Sequence, residues 1–253
     1  MNKYFLVFII ILSNLCFSEE NLDTADAPKT ILFWNTAQKL DGFKNYKEIL
    51  PTRLVSKNVQ PYPLTYNLVD LSNLTYTYKN RKFSINDFIE NFKVAGLIVV
   101  RDGVILHEDY NFGNSESTQW ISFSVTKSVT SMLIGAAIQD GFIKSVEDRV
   151  TTYLPQLMNS KYKDVSIKDV LHMSSGIDWN EDYTDPSSDV NIAGAMNSLS
   201  LYQYLDTLNS VASPGTKFNY NTGETNLLGG IVRSAIGNNL SSYLEQKIWK
   251  PFG

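Results

Sequence analysis

The sequence predicts an α/β protein with a stretch of short helices set into it, and three observations carry that reading. VAGLIVV-RDG-VILHEDY, residues 94–110, has two apolar runs around Asp102-Gly103, the composition of a β-hairpin and its turn. SVTKSVTSMLIGAAIQDG, residues 124–141, places apolar side chains at Val125, Val129, Met132, Leu133, Ala136 and Ala137, which is helical spacing, with Gly141 as a stop. From Asp140 to Val211 the pattern turns to short helices and loops. The hairpin supplies a sheet on which the apolar helix can pack.

At the start of that helix, Ser124-Val125-Thr126-Lys127 puts a lysine one turn after a serine, on the same face. A helix N-terminus carries roughly half a positive charge, so an ammonium is disfavoured where an acid would be at home. An uncharged amine beside a serine hydroxyl is a base beside a nucleophile. The helix end also offers backbone N–H groups to an oxyanion, which acyl transfer requires. The competing reading takes Ser122 or Ser124 as an N-cap and Lys127 as a solvated side chain. A second Ser-x-x-Lys, Ser160-Lys161-Tyr162-Lys163, lies in a polar stretch with no apolar helix behind it, so spacing alone does not decide. The hairpin and helix around Ser124 favour the first copy.

A second candidate is Tyr220, in PGTKFNYNTGETNLLGGIVRSAIG. Pro214-Gly215 makes a turn, and Phe218 and Tyr220 share one side of a short extended piece. A helix follows, with Leu227, Leu228, Ile231, Val232 and Ala235 on its apolar face. Packing competes with chemistry for Tyr220, because Asn221 or Thr222 followed by Glu224 also reads as a capping box. A phenol close to a lysine-paired serine would shuttle protons.

The ordered set Ser124-x-x-Lys127, DVLHMSSGIDW (Asp169 to Trp179) and PGTKFNYNTGETNLLG (Pro214 to Gly229) resembles the serine hydrolases related to class C β-lactamases and DD-peptidases. Within that group it is most similar to the 6-aminohexanoate-dimer hydrolases and the β-lactamase-like esterases, from about Thr36 onwards. The opening FWNTAQKLDGFKNYKEILPTRLV (Phe33 to Val55) shares the likeness. The resemblance implies a β-lactamase/transpeptidase-like fold over residues 31–253, an α/β domain with an all-α insertion at about 140–211. It implies that Ser124 is the acylated nucleophile, Lys127 its deprotonating partner, and Tyr220 the acid and base for the leaving group. It places Tyr183 in a loop that closes over substrate, and Thr222 at a substrate-binding position.

Two departures shape the expectation. Tyr220-Asn221-Thr222 replaces the Tyr-x-Asn of many members and is closer to the Tyr-x-Ser of amide and ester hydrolases; a threonine offers no amide to a substrate carbonyl, which argues against lactamase action. The family's third motif, Lys-Thr-Gly or His-x-Gly, has no match after Tyr220. The sequence ends at Trp249-Lys250-Pro251-Phe252-Gly253, where relatives turn back towards further strands, so the fold is expected to be incomplete at the C-terminus.

MNKYFLVFIIILSNLCFSEE has Lys3, an apolar run from Tyr4 to Leu12, and small Cys16 and Ser18 before acids. Residues 1–18 read as a signal peptide and residues 19–30 as a mobile leader. The apolar run falls short of the roughly 20 residues of a membrane span, so a periplasmic or secreted protein with no stable span after cleavage is expected. Cys16 is the single cysteine, which leaves the mature chain without thiol, disulfide or Cys-metal chemistry. A net charge of −4 with no basic cluster excludes nucleic acid as a partner.

The chain has no G-x-S-x-G, P-loop, G-x-G-x-x-G or H-E-x-x-H. His107 falls in the second hairpin strand and His172 in a short helix, both as packing or surface residues. The acidic stretch from Asn180 to Asp189 reads as a solvated loop without the glycine or spacing of a calcium loop. No metal or cofactor is expected. The function predicted is a serine hydrolase that cleaves small amides or esters through a Ser124 acyl-enzyme. A β-lactamase or DD-peptidase, and a non-catalytic binding protein, are the alternatives.

Overall fold

A computed structural model describes residues 4–6, 31–49, 52–60, 62–194 and 196–253. Apart from Tyr4–Leu6, the signal-peptide and leader readings lie outside the described residues. The chain divides into two compact units. One takes in the described residues of Thr24–Ile121 with Tyr4–Leu6 and Ile248–Gly253; the other takes in Ser122–Lys247. The division falls between Ile121 and Ser122, so the candidate serine, lysine and tyrosine share one unit.

The first unit is the β-containing one. Strands β1 (Tyr4–Leu6) and β2 (Leu54–Ser56) pair antiparallel. Strand β3 (Thr65–Tyr66) runs parallel to β7 (Val104–Tyr110), and β7 pairs antiparallel with β6 (Gly96–Arg101). The β6–β7 turn is the expected one: Asp102 and Gly103 take φ of 53° and 77°, the left-handed pair whose twist matches hairpin strands. A second hairpin, β4 (Thr75–Tyr78) with β5 (Arg81–Ser84), runs straight into helix α2 (Ile85–Phe92), which Ser84 and Asp87 close with a capping box. Helix α1 (Thr36–Gly42) starts on a similar box from Asn35 and Gln38. The Phe43 ring after it meets Trp120 edge-on, with ring centres 5.6 Å apart, and the Ile121 N–H donates to the Phe43 carbonyl at 3.0 Å.

The second unit is helical: α3 (Val125–Gln139), α4 (Val150–Tyr153), α5 (Ile167–Leu171), α6 (Asp189–Gly194), α7 (Ser198–Thr207), α8 (Thr222–Ile236) and α9 (Leu240–Leu244). Helix α8 is its axis and packs against all the others. Leu227, Leu228, Ile231 and Val232 are at most 4% exposed and meet a core that includes Leu133, Ile134, Ile167, Val170 and Leu205. Each such side chain contributes roughly 1.5–3 kcal/mol on burial. Helix α7 approaches closely enough at Gly230 that a Cβ there would lie 2.1 Å from the Tyr202 hydroxyl, so a larger residue requires the Tyr202 side chain to shift.

Helix α3 corrects one expectation. Its buried stripe is Thr130, Leu133, Ile134 and Ala137, whereas Val125 and Met132 are 66% and 50% exposed. The helix is apolar over more than half its circumference, so periodicity alone admits either of two overlapping faces. The extended stretch 173–179 is laced to residues 209–219: Asn219 N–H donates to the Met173 carbonyl (2.8 Å), Gly215 N–H to Ser174 (2.8 Å) and Val211 N–H to Gly176 (2.8 Å). That lacing carries Tyr220 to the mouth of α8.

Candidate active site

Ser124 stands at the N-cap of α3 and is exposed, yet its side chain caps nothing. Its Oγ instead lies 3.0 Å from the Nζ of half-buried Lys127, as the one-turn spacing requires. The residue before it, Phe123, takes a φ of 42°, a left-handed conformation that a bulky side chain adopts only under constraint. The N–H groups of Val125, Thr126 and Lys127 donate to the carbonyls of Ser122, Phe123 and Ser124 at 3.0–3.1 Å. Those three first-turn donors are therefore already taken within the chain, and are not among the N–H groups this helix end could offer an oxyanion.

Tyr220 comes to the same place. Lys127 Nζ sits 5.2 Å from the centre of its ring, so serine, lysine and phenol form one cluster within one unit. Tyr220 lies between two anchored neighbours. Asn219 donates its side-chain amide to the Trp179 carbonyl at 3.1 Å. Thr222 donates its N–H to Glu181 Oε2 at 3.0 Å and its hydroxyl to Glu181 Oε1.

Glu181 is the residue that sequence reasoning missed. Its carboxylate also accepts the Trp179 indole N–H and, at 2.8 Å, the Tyr183 hydroxyl. The two substrate-binding candidates, Thr222 and Tyr183, are thus both committed to this one acid. Burial, with Glu181 alongside, pushes the Tyr183 phenol up to about 12. The acidic stretch is a built loop: Asp182 accepts from the N–H and hydroxyl of Thr184, Asp185 from those of Ser187, and Asp189 from Asn180 N–H and the Tyr204 hydroxyl. These donors hold the Asp182 and Asp185 carboxyls below the ordinary carboxylate range.

Behind the first turn of α8 lies a buried polar cluster. Asn221 caps the helix by accepting the Glu224 N–H at 3.0 Å, so the capping signal was sound for the asparagine. The Glu224 side chain, 1% exposed, is buried instead of turning back to complete the box. Its Oε2, the Asn221 Nδ2 and the Tyr162 hydroxyl are buried without a hydrogen-bond partner. Burial pushes the Glu224 acid up to about 8, with Ser175 opposing and Asp169 adding to the rise.

The second Ser-x-x-Lys is architectural: Ser160 Oγ donates to the Leu157 carbonyl at 2.7 Å and accepts the Tyr162 N–H at 3.0 Å. His107 lies in β7 and His172 caps α5, and neither joins the cluster. Among the described residues no group of His, Cys, Asp or Glu is arranged to hold a metal ion, and no helix is long and apolar enough to cross a membrane.

A serine paired with a lysine at the start of a helix, and a tyrosine over that lysine, set in this fold, define the class to which the comparisons also lead. The β-lactamase family model matches residues 85–253, and the chain belongs to that family. Its members are serine hydrolases acting on amide bonds. The chain is 30% identical over 217 residues to the 6-aminohexanoate-dimer hydrolase of Paenarthrobacter ureafaciens, covering 82% of this chain and 54% of that protein. It is 26% identical over 138 residues to a β-lactamase of Yersinia enterocolitica, covering 54% of this chain and 33% of that one. A solved structure from Bacillus anthracis, assigned by its name to the 6-aminohexanoate-dimer hydrolases, superposes with a TM-score of 0.73 at 20% identity, over 85% of this chain and 60% of that one. The chain therefore has the β-lactamase/transpeptidase-like fold, and it spans about half the length of the first of these relatives.

Proposed function

We propose that this protein is a serine hydrolase that cleaves small amides or esters through an acyl-enzyme on Ser124. The observation that carries the reading is the 3.0 Å approach of Lys127 Nζ to Ser124 Oγ at the head of α3, under the Tyr220 ring. Lys127 takes the Ser124 proton as Oγ attacks the carbonyl. Tyr220 delivers a proton to the departing amine or alkoxide, and water then attacks the ester by the reverse path. The ionised carboxylates of exposed Asp182 and half-buried Asp185 favour substrates bearing a free amine and repel the carboxylate of a β-lactam. That preference is modest and falls with salt, because exposed charges are screened over about 8–10 Å. The signal-peptide reading of residues 1–18 puts the hydrolase in the periplasm or outside the cell.

A fluorophosphonate is expected to form one adduct, on Ser124, and none on Ser124→Ala. A label on Ser160, or equal labelling of Ser124→Ala, would sink the assignment of Ser124, and no label at all would favour a non-catalytic binding protein. Tyr220→Phe is expected to slow an amide more than its nitrophenyl ester, whose leaving group needs no proton; equal losses would leave Tyr220 as packing. Rapid, salt-independent turnover of a chromogenic cephalosporin would overturn the substrate reading in favour of a lactamase.

A further inference from the structure

We propose that Glu181 is a positioning residue for Tyr220: its carboxylate fastens the 179–183 segment to the first turn of α8 and so fixes the phenol over Lys127. The proposal rests on the reading of Tyr220 as the proton donor to the leaving group. Each carboxylate oxygen takes two donors, Oε2 the Trp179 indole and the Thr222 N–H, and Oε1 the hydroxyls of Tyr183 and Thr222. Thr222 opens a helix of 15 residues, and its N–H is among those an α-helix cannot satisfy from within. A carboxylate is the acceptor that the positive end of the helix favours.

The indole itself rests on that turn. A Cβ at Gly223 would lie 2.9 Å from the Trp179 ring, so only glycine lets the two come this close. Trp179 is 5% exposed, which makes its N–H a donor that burial would leave stranded without Glu181. With Asn219 held by the Trp179 carbonyl on one side and Thr222 by Glu181 on the other, Tyr220 has an anchored residue within two positions in each direction. One carboxylate also holds Tyr183, so the loop and the proton donor are set by the same group.

Glutamine and alanine separate this tie from a role of the charge alone. A glutamine oxygen can keep the indole and the Thr222 N–H, while its amide donates to the two hydroxyls, which rotate to accept. Alanine strands all four donors. In the full-length protein, Glu181→Ala is expected to lower amide turnover by about tenfold to a hundredfold, the scale of a misplaced catalytic group. The activated ester should change far less, and in a Tyr220→Phe background the extra loss on the amide should vanish, since the two residues act as one unit. Glu181→Gln should restore most of the activity. Equal losses on amide and ester, additive losses in the double variant, or a glutamine no better than alanine would each overturn the proposal. If Glu181→Ala does not fold, Thr222→Val, which removes one of the four donors, carries the same comparison. Failure of Tyr220→Phe alone to separate amide from ester would instead remove the underlying reading, and the proposal with it.

Discussion

Arginine at Lys127 is expected to cut acylation of Ser124 by about a thousandfold, the scale of an acid–base group together with its positioning. The substitution keeps the positive charge and most of the side-chain stem. What it removes is a nitrogen able to give up its proton, since a guanidinium stays charged at any pH a protein tolerates. Lys127 Nζ is within hydrogen-bond reach of Ser124 Oγ, so the geometry for direct proton transfer exists. The rate of fluorophosphonate labelling and the burst of nitrophenol from an ester measure the effect, with thermal unfolding as the control for folding. An arginine variant that keeps most of its activity would show that the lysine supplies only an electrostatic field.

The second large effect lies in stability. Glu224 is buried, with one oxygen unpaired, and the groups that face it are Tyr162, Ser175, Asn221 and Asp169, none of them a cation. An ionised carboxylate in that setting is costly, so the folded chain keeps the proton and its acid ionises only at about 8. The unfolded chain loses the same proton near 4.5. Between those values the folded state binds more protons than the unfolded one, so this group's contribution to stability falls as pH rises and levels off above about 8. At about 1.4 kcal/mol per pKa unit, the upper bound across the window is on the order of 5 kcal/mol. Glu224→Gln has no proton to lose. Its advantage over the parent is expected to be small near pH 4.5 and to widen steadily towards pH 8, read from urea unfolding at a series of pH values. Parallel curves for the two proteins would sink the idea.

What the sequence made legible follows short-range rules. Asp102-Gly103 announced its hairpin because that dipeptide accepts two left-handed residues in succession. Gly141, with a φ of 79°, stops α3 as expected, and the apolar face of α8 is the one its period marks. The β4–β5 hairpin was not legible. Its turn places Lys79 and Asn80 at φ of 46° and 61°, a conformation that lysine does not advertise, and its flanking Thr75–Tyr78 strand is exposed throughout.

In the site, the serine, lysine and tyrosine stood out because their placement at two helix starts is local. Glu181 did not, for a physical reason: in sequence it is one acid in a run of acids, and what distinguishes it is a pair of hydrogen bonds to a residue 41 positions away. Glu224 was visible as a cap, but its burial depends on α5 and the segment around Ser175 closing over it. No pattern within one helix reports that.

Phe123 links the core to the chemistry in another sense. A phenylalanine held at a φ of 42° costs about 1–3 kcal/mol and persists only while its surroundings leave it no alternative. The surroundings that follow it are α3 and the Leu133, Ile134 and Ala137 stripe packed in the unit's core. The turn that aims the nucleophile is thus a loaded spring whose latch is buried some distance along the helix. If the helix holds that turn, a cavity in the stripe, such as Leu133→Ala, is expected to slow labelling of Ser124 as well as to lower the unfolding temperature. A variant that loses stability with no change in labelling would uncouple the two.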